Sequence, residues 1–245
     1  MPKKLYQPAI VRKELNDEHF YFVDGKFFPS VTRILQSLPM PYALLKWYGD
    51  LGVERAEQRR DAAGDRGSLV HDICGRLMNG LEIELVKTFP QKRDQKSIVG
   101  FVNWFNDYKP EFKVEDIEKT VASNLGFAGT LDLFCKIKGE PVIVDFKSSA
   151  SIHDSHKLQL TAYQQAFEEM TGIKAKRWIL HLNPLVKSGY SLYGEDKMTI
   201  KKKPVTADDF MKVFEVYKML NGGVVPEPDL EEIYPETIKL FDRVK

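Results

Sequence analysis

Residues Phe127 to Lys147 read FAGTLDLFCKIKGEPVIVDFK, and their pattern decides the fold. Two strand-like runs flank Gly139-Glu140-Pro141, which reads as the turn of a β-hairpin. Val142, Ile143 and Val144 form a short apolar, β-branched run, as expected of a strand buried on both faces. That strand ends in Asp145-Phe146-Lys147. Alternation puts Asp145 and Lys147 on one face and Phe146 on the other, and Asp132 sits on the partner strand. Unpaired buried charge is costly. A surface salt bridge between Asp145 and Lys147 would explain these charges, and so would a metal ion held by the carboxylates.

The surroundings of this hairpin predict a layered α/β arrangement. Upstream, Ile98, Phe101, Val102 and Phe105 have helical spacing over 97–108, stopped by Pro110. Strands are expected over 113–123, 127–137 and 142–146. A helix follows over about 155–170, and then a strand at 178–182. The reading αβββαβ gives a mixed central sheet flanked by helices, because a helix of that length can cross back over the sheet. The first third reads as mostly helical. It has a small hairpin over 16–28 with an Asp24-Gly25 turn, a Ser30-capped helix stopped by Pro39, and a helix over 42–48. A charged helix over 53–63 follows. After Gly64 and Gly67 comes a separate helix over about 68–78. Residues 189–203 read as a peripheral hairpin turning at Tyr193-Gly194-Glu195-Asp196. A last amphipathic helix is capped by Thr206, and a Pro- and Glu-rich tail begins after Pro226.

Composition narrows the function classes. The 245-residue chain is 43% hydrophobic and 29% charged, with net charge +1. A nucleic-acid partner would therefore be met by a local patch and not by a global field. No apolar run approaches the roughly 20 residues of a membrane span, so no membrane partner is expected. The N-terminus lacks the apolar core of a signal peptide. Cys74 and Cys135 are the only cysteines, too few for a disulfide framework or a four-thiolate cluster. A cytoplasmic or other reducing intracellular compartment is expected. No Walker A pattern is present, so no nucleotide cofactor is expected.

Other acid-x-lysine triplets, such as Asp24-Gly25-Lys26 and Asp107-Tyr108-Lys109, lie in charged or turn-like surroundings. Only Asp145-Phe146-Lys147 follows an apolar strand. In the next helix, Gln159 and Tyr163 are four apart on one face. A surface glutamine beside a half-buried tyrosine would look the same. His153 and His156 sit at a Ser- and Asp-rich helix entry and read as a solvated loop able to contact phosphate. Basic residues Arg66, Lys157 and Arg177 could track a nucleic-acid backbone, with Trp47 as a stacking surface; each could equally be a solvated side chain.

Taken together, G-T-L-D (129–132), V-I-V-D-F-K-S (142–148) and Q-x-x-x-Y (159–163) resemble the PD-(D/E)XK nuclease superfamily. Within it they are similar to the RecB-like exonucleases, a branch that includes the mitochondrial genome maintenance exonuclease and phage relatives. Arg66 to His71 (R-G-S-L-V-H) is similar to that branch's helical G-x-x-x-H motif. The iron–sulfur members of the branch carry four cysteines, which this chain lacks. The resemblance implies a restriction-endonuclease-like core at 91–185 within a single nuclease domain spanning 1–245. It leaves a helical N-terminal elaboration at 1–90 carrying His71, and a peripheral hairpin, helix and tail at 186–245. It implies that Asp132, Asp145, the Phe146 backbone carbonyl and His71 hold Mg²⁺ or Mn²⁺, with Glu118 a weaker match to a further carboxylate. Lys147 would act at the scissile phosphate, and Gln159 and Tyr163 would orient the site or the DNA backbone. The implied activity is a metal-dependent DNA exonuclease acting on single strands or ends in recombination, replication or repair, alongside proteins of those systems. A phage or bacterial origin would suit it. The alternatives are a structure-specific endonuclease on the same core, or a non-catalytic DNA-binding module.

Overall fold

The computed structural model describes residues 5–15 and 18–225. The tail expected after Pro226 lies outside them. The chain begins with a three-stranded antiparallel meander, β1 (Ile10–Leu15), β2 (Glu18–Val23) and β3 (Lys26–Phe28). Asp24 and Gly25 make the second turn, with φ of 49° and 76°. This is the mirror-image turn that matches strand twist. The first strand, β1, carries no sequence signal that set it apart.

Helices follow. In α1 (Val31–Leu35) the Ser30 hydroxyl accepts the Arg33 N–H at 3.1 Å, the expected N-cap. Next come α2 (Tyr42–Leu51), α3 (Val53–Met78), the short α4 (Leu85–Thr88) and α5 (Lys92–Tyr108). The two helices expected on either side of Gly64 and Gly67 are one, because α3 runs unbroken for 26 residues. Each interior glycine costs about 1 kcal/mol relative to alanine. Packing of Val70, Ile73 and Cys74 into the core outweighs that, since all three are fully buried.

The central sheet is built from β4 (Ile117–Ser123), β5 (Phe127–Ile137), β6 (Glu140–Lys147), β7 (Lys176–His181) and β8 (Ser191–Tyr193), in that spatial order. Neighbours are antiparallel except β6 and β7, which are parallel and joined through α6 (Asp154–Thr171). The β5–β6 turn is Lys138-Gly139, both with positive φ, and Glu140 and Pro141 already belong to β6. The peripheral hairpin expected over 189–203 is divided. Its first strand, β8, pairs with β7 and completes the sheet, while β9 (Thr199–Ile200) and β10 (Lys203–Pro204) form a small separate ladder turning at Lys201-Lys202. The last helix is α7 (Ala207–Leu220). Among the described residues, no helix is long and apolar enough to cross a membrane.

Strand alternation gives the sheet two cores. On one face Phe127, Leu131, Ile143 and Ile179 meet α6 and α7. On the other, Leu133, Val144, Phe146 and Leu180 meet α3 and α5, where Phe101, Trp104 and Phe146 form an aromatic cluster with centroids 5.4–6.3 Å apart. Leu131 and Leu133 should share a face, yet they pack into different cores. The pleat therefore turns over at Asp132. The β4–β5 ladder omits the pair that would join Asp132 to Glu118, and Glu118 has the left-handed φ of 46°. A non-glycine residue so placed is strained, and such strain clusters at functional sites.

Two predictions follow from this packing. Helix α5 touches the 183–190 loop backbone to backbone at Gly100 and Gly189, and an added Cβ at Gly100 would overlap the Gly189 carbonyl. Helix propensity favours alanine by about 1 kcal/mol, but overpacking against rigid backbone costs typically 1–3 kcal/mol. Gly100→Ala should therefore lower the denaturant midpoint. The second concerns the start of α6, where the His153 backbone N–H donates to His156 Nδ1 at 3.2 Å. Burial, then the charges of Lys147, His153 and His181, push the His156 pKa down to about 3. Between its unfolded value near 6.5 and about 3, the unfolded chain takes up a proton that the folded chain refuses. Stability is full above about pH 6.5 and falls as the pH drops through that window. A His156→Gln variant should show a flatter fall of melting temperature with acid than the wild type.

Candidate metal and nucleic-acid site

The site begins at the end of β6. Phe146 anchors the strand in the aromatic core, which turns Asp145 and Lys147 to the opposite side. Asp145 is only 2% exposed. Lys147 Nζ lies 2.8 Å from Asp145 Oδ2, and this ion pair is the only partner of that buried oxygen. Burial pushes the Asp145 carboxyl up to about 6, against the pull of Lys147 and with the repulsion of Asp132.

Asp132 joins three elements. Its Oδ2 accepts the Phe146 backbone N–H at 2.6 Å, and its Oδ1 lies 3.2 Å from His71 Nδ1 on α3. Burial opposes its ionisation, but the His71 charge and hydrogen bond, Lys147 and the Phe146 N–H outweigh it and hold the pKa down. For His71, burial opposes the charged ring, and the Asp132 carboxylate overcomes it and raises the pKa. The His71 ring also packs edge-on to Phe146, with centroids 6.1 Å apart. The exposed Glu118, on β4 opposite Asp132, faces the same space.

Helix α6 closes one side. Gln159 Nε2 donates to Tyr163 Oη at 3.0 Å, and Tyr163 is 5% exposed. The Tyr163 ring lies against Gly129, where a Cβ would overlap ring carbons. The G-T-L-D stretch thus divides its work. Gly129 admits the tyrosine, Asp132 enters the site, and Thr130 lies 3.0 Å from Tyr21 Oη and 3.3 Å from Arg12 Nη1.

Asp132, Asp145, Lys147, His71, Gln159 and Tyr163 all line one cleft of about 1220 Å³, which Glu118 also reaches. Its remaining walls come from β1, β2, the start of α1 and the Arg60–Asp72 face of α3. Among the described residues, no three His, Cys, Asp or Glu side chains are already gathered as a metal cluster. The donor set nevertheless fits a hard divalent cation. A buried carboxylate, partnered at Oδ2 by Lys147 alone, and a half-buried one line the same cleft, and a single imidazole lies beside them.

The four expected nucleic-acid contacts lie elsewhere, and none lines this cleft. Arg177 is 6% exposed and structural. It bonds Thr161 Oγ1 at 2.6 Å, the Val205 carbonyl at 2.8 Å and the Glu195 carboxylate. This corrects the expectation of a backbone-tracking arginine, because the guanidinium is consumed in linking β7 to the segment before α7. Lys157 is likewise held, by Asp154 at 2.9 Å and the Thr199 carbonyl at 2.7 Å. Arg66 faces Asp94 at 3.6 Å, and half-buried Trp47 packs edge-on to Tyr48. His153 and His156 are engaged at the α6 cap instead of forming a solvated loop. Besides Lys147, the lysine and arginine residues that line the cleft are Arg12 and Arg60. Arg60 lies in the basic run Arg55, Arg59, Arg60 and Arg66 that the sequence offers as able to track a DNA backbone, whereas Arg12 had no signal there. Arg12 belongs to the unannounced strand β1.

A family model of the PD-(D/E)XK nuclease superfamily matches residues 44–236. No curated protein matches the chain. A solved structure from Eubacterium rectale, described as that of a candidate exonuclease, is similar at 14% identity and a TM-score of 0.40, over 71% of this chain and 77% of that one. The match to the family model spans most of the chain and includes every element that builds the cleft floor, so the chain belongs to the PD-(D/E)XK nuclease superfamily, whose nucleases act on nucleic acid with divalent metal ions.

Proposed function

We propose that the chain is a Mg²⁺- or Mn²⁺-dependent DNA exonuclease of the RecB-like kind, acting on single strands or DNA ends in recombination, replication or repair. The observation that carries this reading is the meeting of Asp132, Asp145 and Lys147 in one cleft, with His71 brought to them by α3. Asp132 and Asp145 would hold the cation, helped by His71 and the Phe146 carbonyl, with Glu118 within the same space. When bound, the cation lowers the pKa of a water and neutralises charge on the phosphodiester. Lys147 supplies positive charge at the scissile phosphate. Gln159 and Tyr163 hold one wall rigid through their mutual hydrogen bond.

Two features favour single strands. The floor is enclosed by walls from the N-terminal meander and from α3. In the cleft lining, carboxylates outnumber arginine and lysine. A duplex carries one charge per roughly 1.7 Å of axis and meets more repulsion there than one strand does.

The test is a product ladder from end-labelled linear and circular single strands, with Mg²⁺, Mn²⁺ or EDTA. Linear strands should be shortened stepwise, and EDTA should abolish the reaction. Asp145→Ala and Lys147→Ala should each lower kcat on the order of 10³-fold. Absence of metal-dependent cleavage, or full activity in both variants, overturns the enzyme reading. Cutting of circles replaces the exonuclease with an endonuclease.

A further inference from the structure

We infer that Arg12, on the N-terminal meander, is a substrate-binding residue that grips a phosphate of the strand lying in the cleft, and that Glu14 occupies its place until the strand enters. The inference rests on the reading of the cleft as a DNA site. Arg12 sits mid-strand in β1, paired with Tyr21 of β2. Its side chain is 24% exposed and lines the cleft with Asp132 and Lys147. Nη1 donates to Thr130 Oγ1 at 3.3 Å, two residues before Asp132. That contact, spanning 118 residues of sequence, fixes the guanidinium beside the floor of the site. Tyr21 Oη meets the same Thr130 hydroxyl at 3.0 Å and braces the arrangement.

The rest of the guanidinium is loosely committed. Nη2 donates to Glu14 Oε1 at 2.5 Å and lies 3.4 Å from each ring nitrogen of His19. Nε is buried without a hydrogen bond. A buried donor left unbonded is unfavourable, and guanidinium geometry matches phosphate in a two-pronged fashion. Glu14 is 62% exposed, so its ion pair is weak and its carboxylate can return to water at little cost. A phosphodiester offers two oxygens in place of the one carboxylate oxygen that Nη2 now meets.

The opposing wall is shaped to admit a strand there. Gly64, Gly67 and Ser68 on α3 line the cleft without bulk. An added Cβ at Gly64 would meet nothing within 4 Å. The meander and α3 thus bound a slot in which Arg12 and Arg60 are the arginines. Arg60 is bonded to Tyr48 Oη and Asp61, each at 3.2 Å, and is largely exposed, which leaves Arg12 as the arginine anchored at the floor.

The experiment is fluorescence anisotropy of a labelled oligothymidylate with the full chain in Ca²⁺, at several salt concentrations. Melting temperatures are measured on the same preparations. Arg12→Gln should bind roughly tenfold more weakly, as expected for one charge-assisted contact. Its log–log salt slope should be shallower by about 0.7. Arg12→Lys should keep the slope but not the full affinity. Glu14→Gln should bind several-fold more tightly than wild type, and most of that gain should vanish when Arg12→Gln is added, whereas the loss of a repelling charge alone would tighten both backgrounds equally. Wild-type affinity and slope in a folded Arg12→Gln variant overturn the inference. So does a Glu14→Gln variant that binds no tighter, a result that stands even if Arg12→Gln fails to fold. In both cases wild-type binding leaves the nuclease reading intact. Failure of the wild type itself to bind the strand overturns that reading, and the role of Arg12 with it.

Discussion

The Asp132 carboxylate is the constraint on which the site depends. One oxygen takes the backbone N–H of Phe146 from the neighbouring strand, and the other faces His71 from a helix 61 residues upstream. Sheet and helical elaboration are therefore fixed to one another at the place where chemistry is expected. Burial alone would keep such a carboxyl protonated. The surrounding positive groups and the N–H reverse that for Asp132, whereas for Asp145 burial, with the repulsion of Asp132, outweighs the pull of Lys147 and leaves the carboxyl raised to about 6. Neighbouring carboxylates with pKa values pushed in opposite directions are a pattern that functional sites share with structural ion-pair networks.

The backbone around Asp132 departs from regular strand pairing. Glu118 holds a left-handed conformation opposite it, the ladder skips that pair, and the apolar face changes core between Leu131 and Leu133. A regular strand pair would direct neighbouring side chains along one face only. The break lets Asp132 and Glu118 both reach the cleft while the flanking residues stay packed.

Much of this was legible in the sequence because it is local. The apolar run Val142–Val144, the alternation through Lys147 and the four-residue spacing of Gln159 and Tyr163 each follow from one period within one element. His71 was reachable only through the resemblance, since its partner lies on another element. Where neighbouring residues do not carry the information, the reading went astray. Gly64 and Gly67 looked like a helix break, but the packing of Val70, Ile73 and Cys74 carries α3 through them. Arg177 looked available to a polyanion, but Glu195, Thr161 and Val205 absorb it, and all three are distant in sequence. Arg12 was invisible for the same reason, because its meaning comes from Thr130.

The central claim, that Asp132 and Asp145 form one cation site although they face different neighbours, is tested most directly by calorimetric titration of Mn²⁺ into the wild type, Asp132→Asn and Asp145→Asn. A shared site predicts saturable binding in the wild type and its loss in both variants. Binding in either variant that matches the wild type would contradict it.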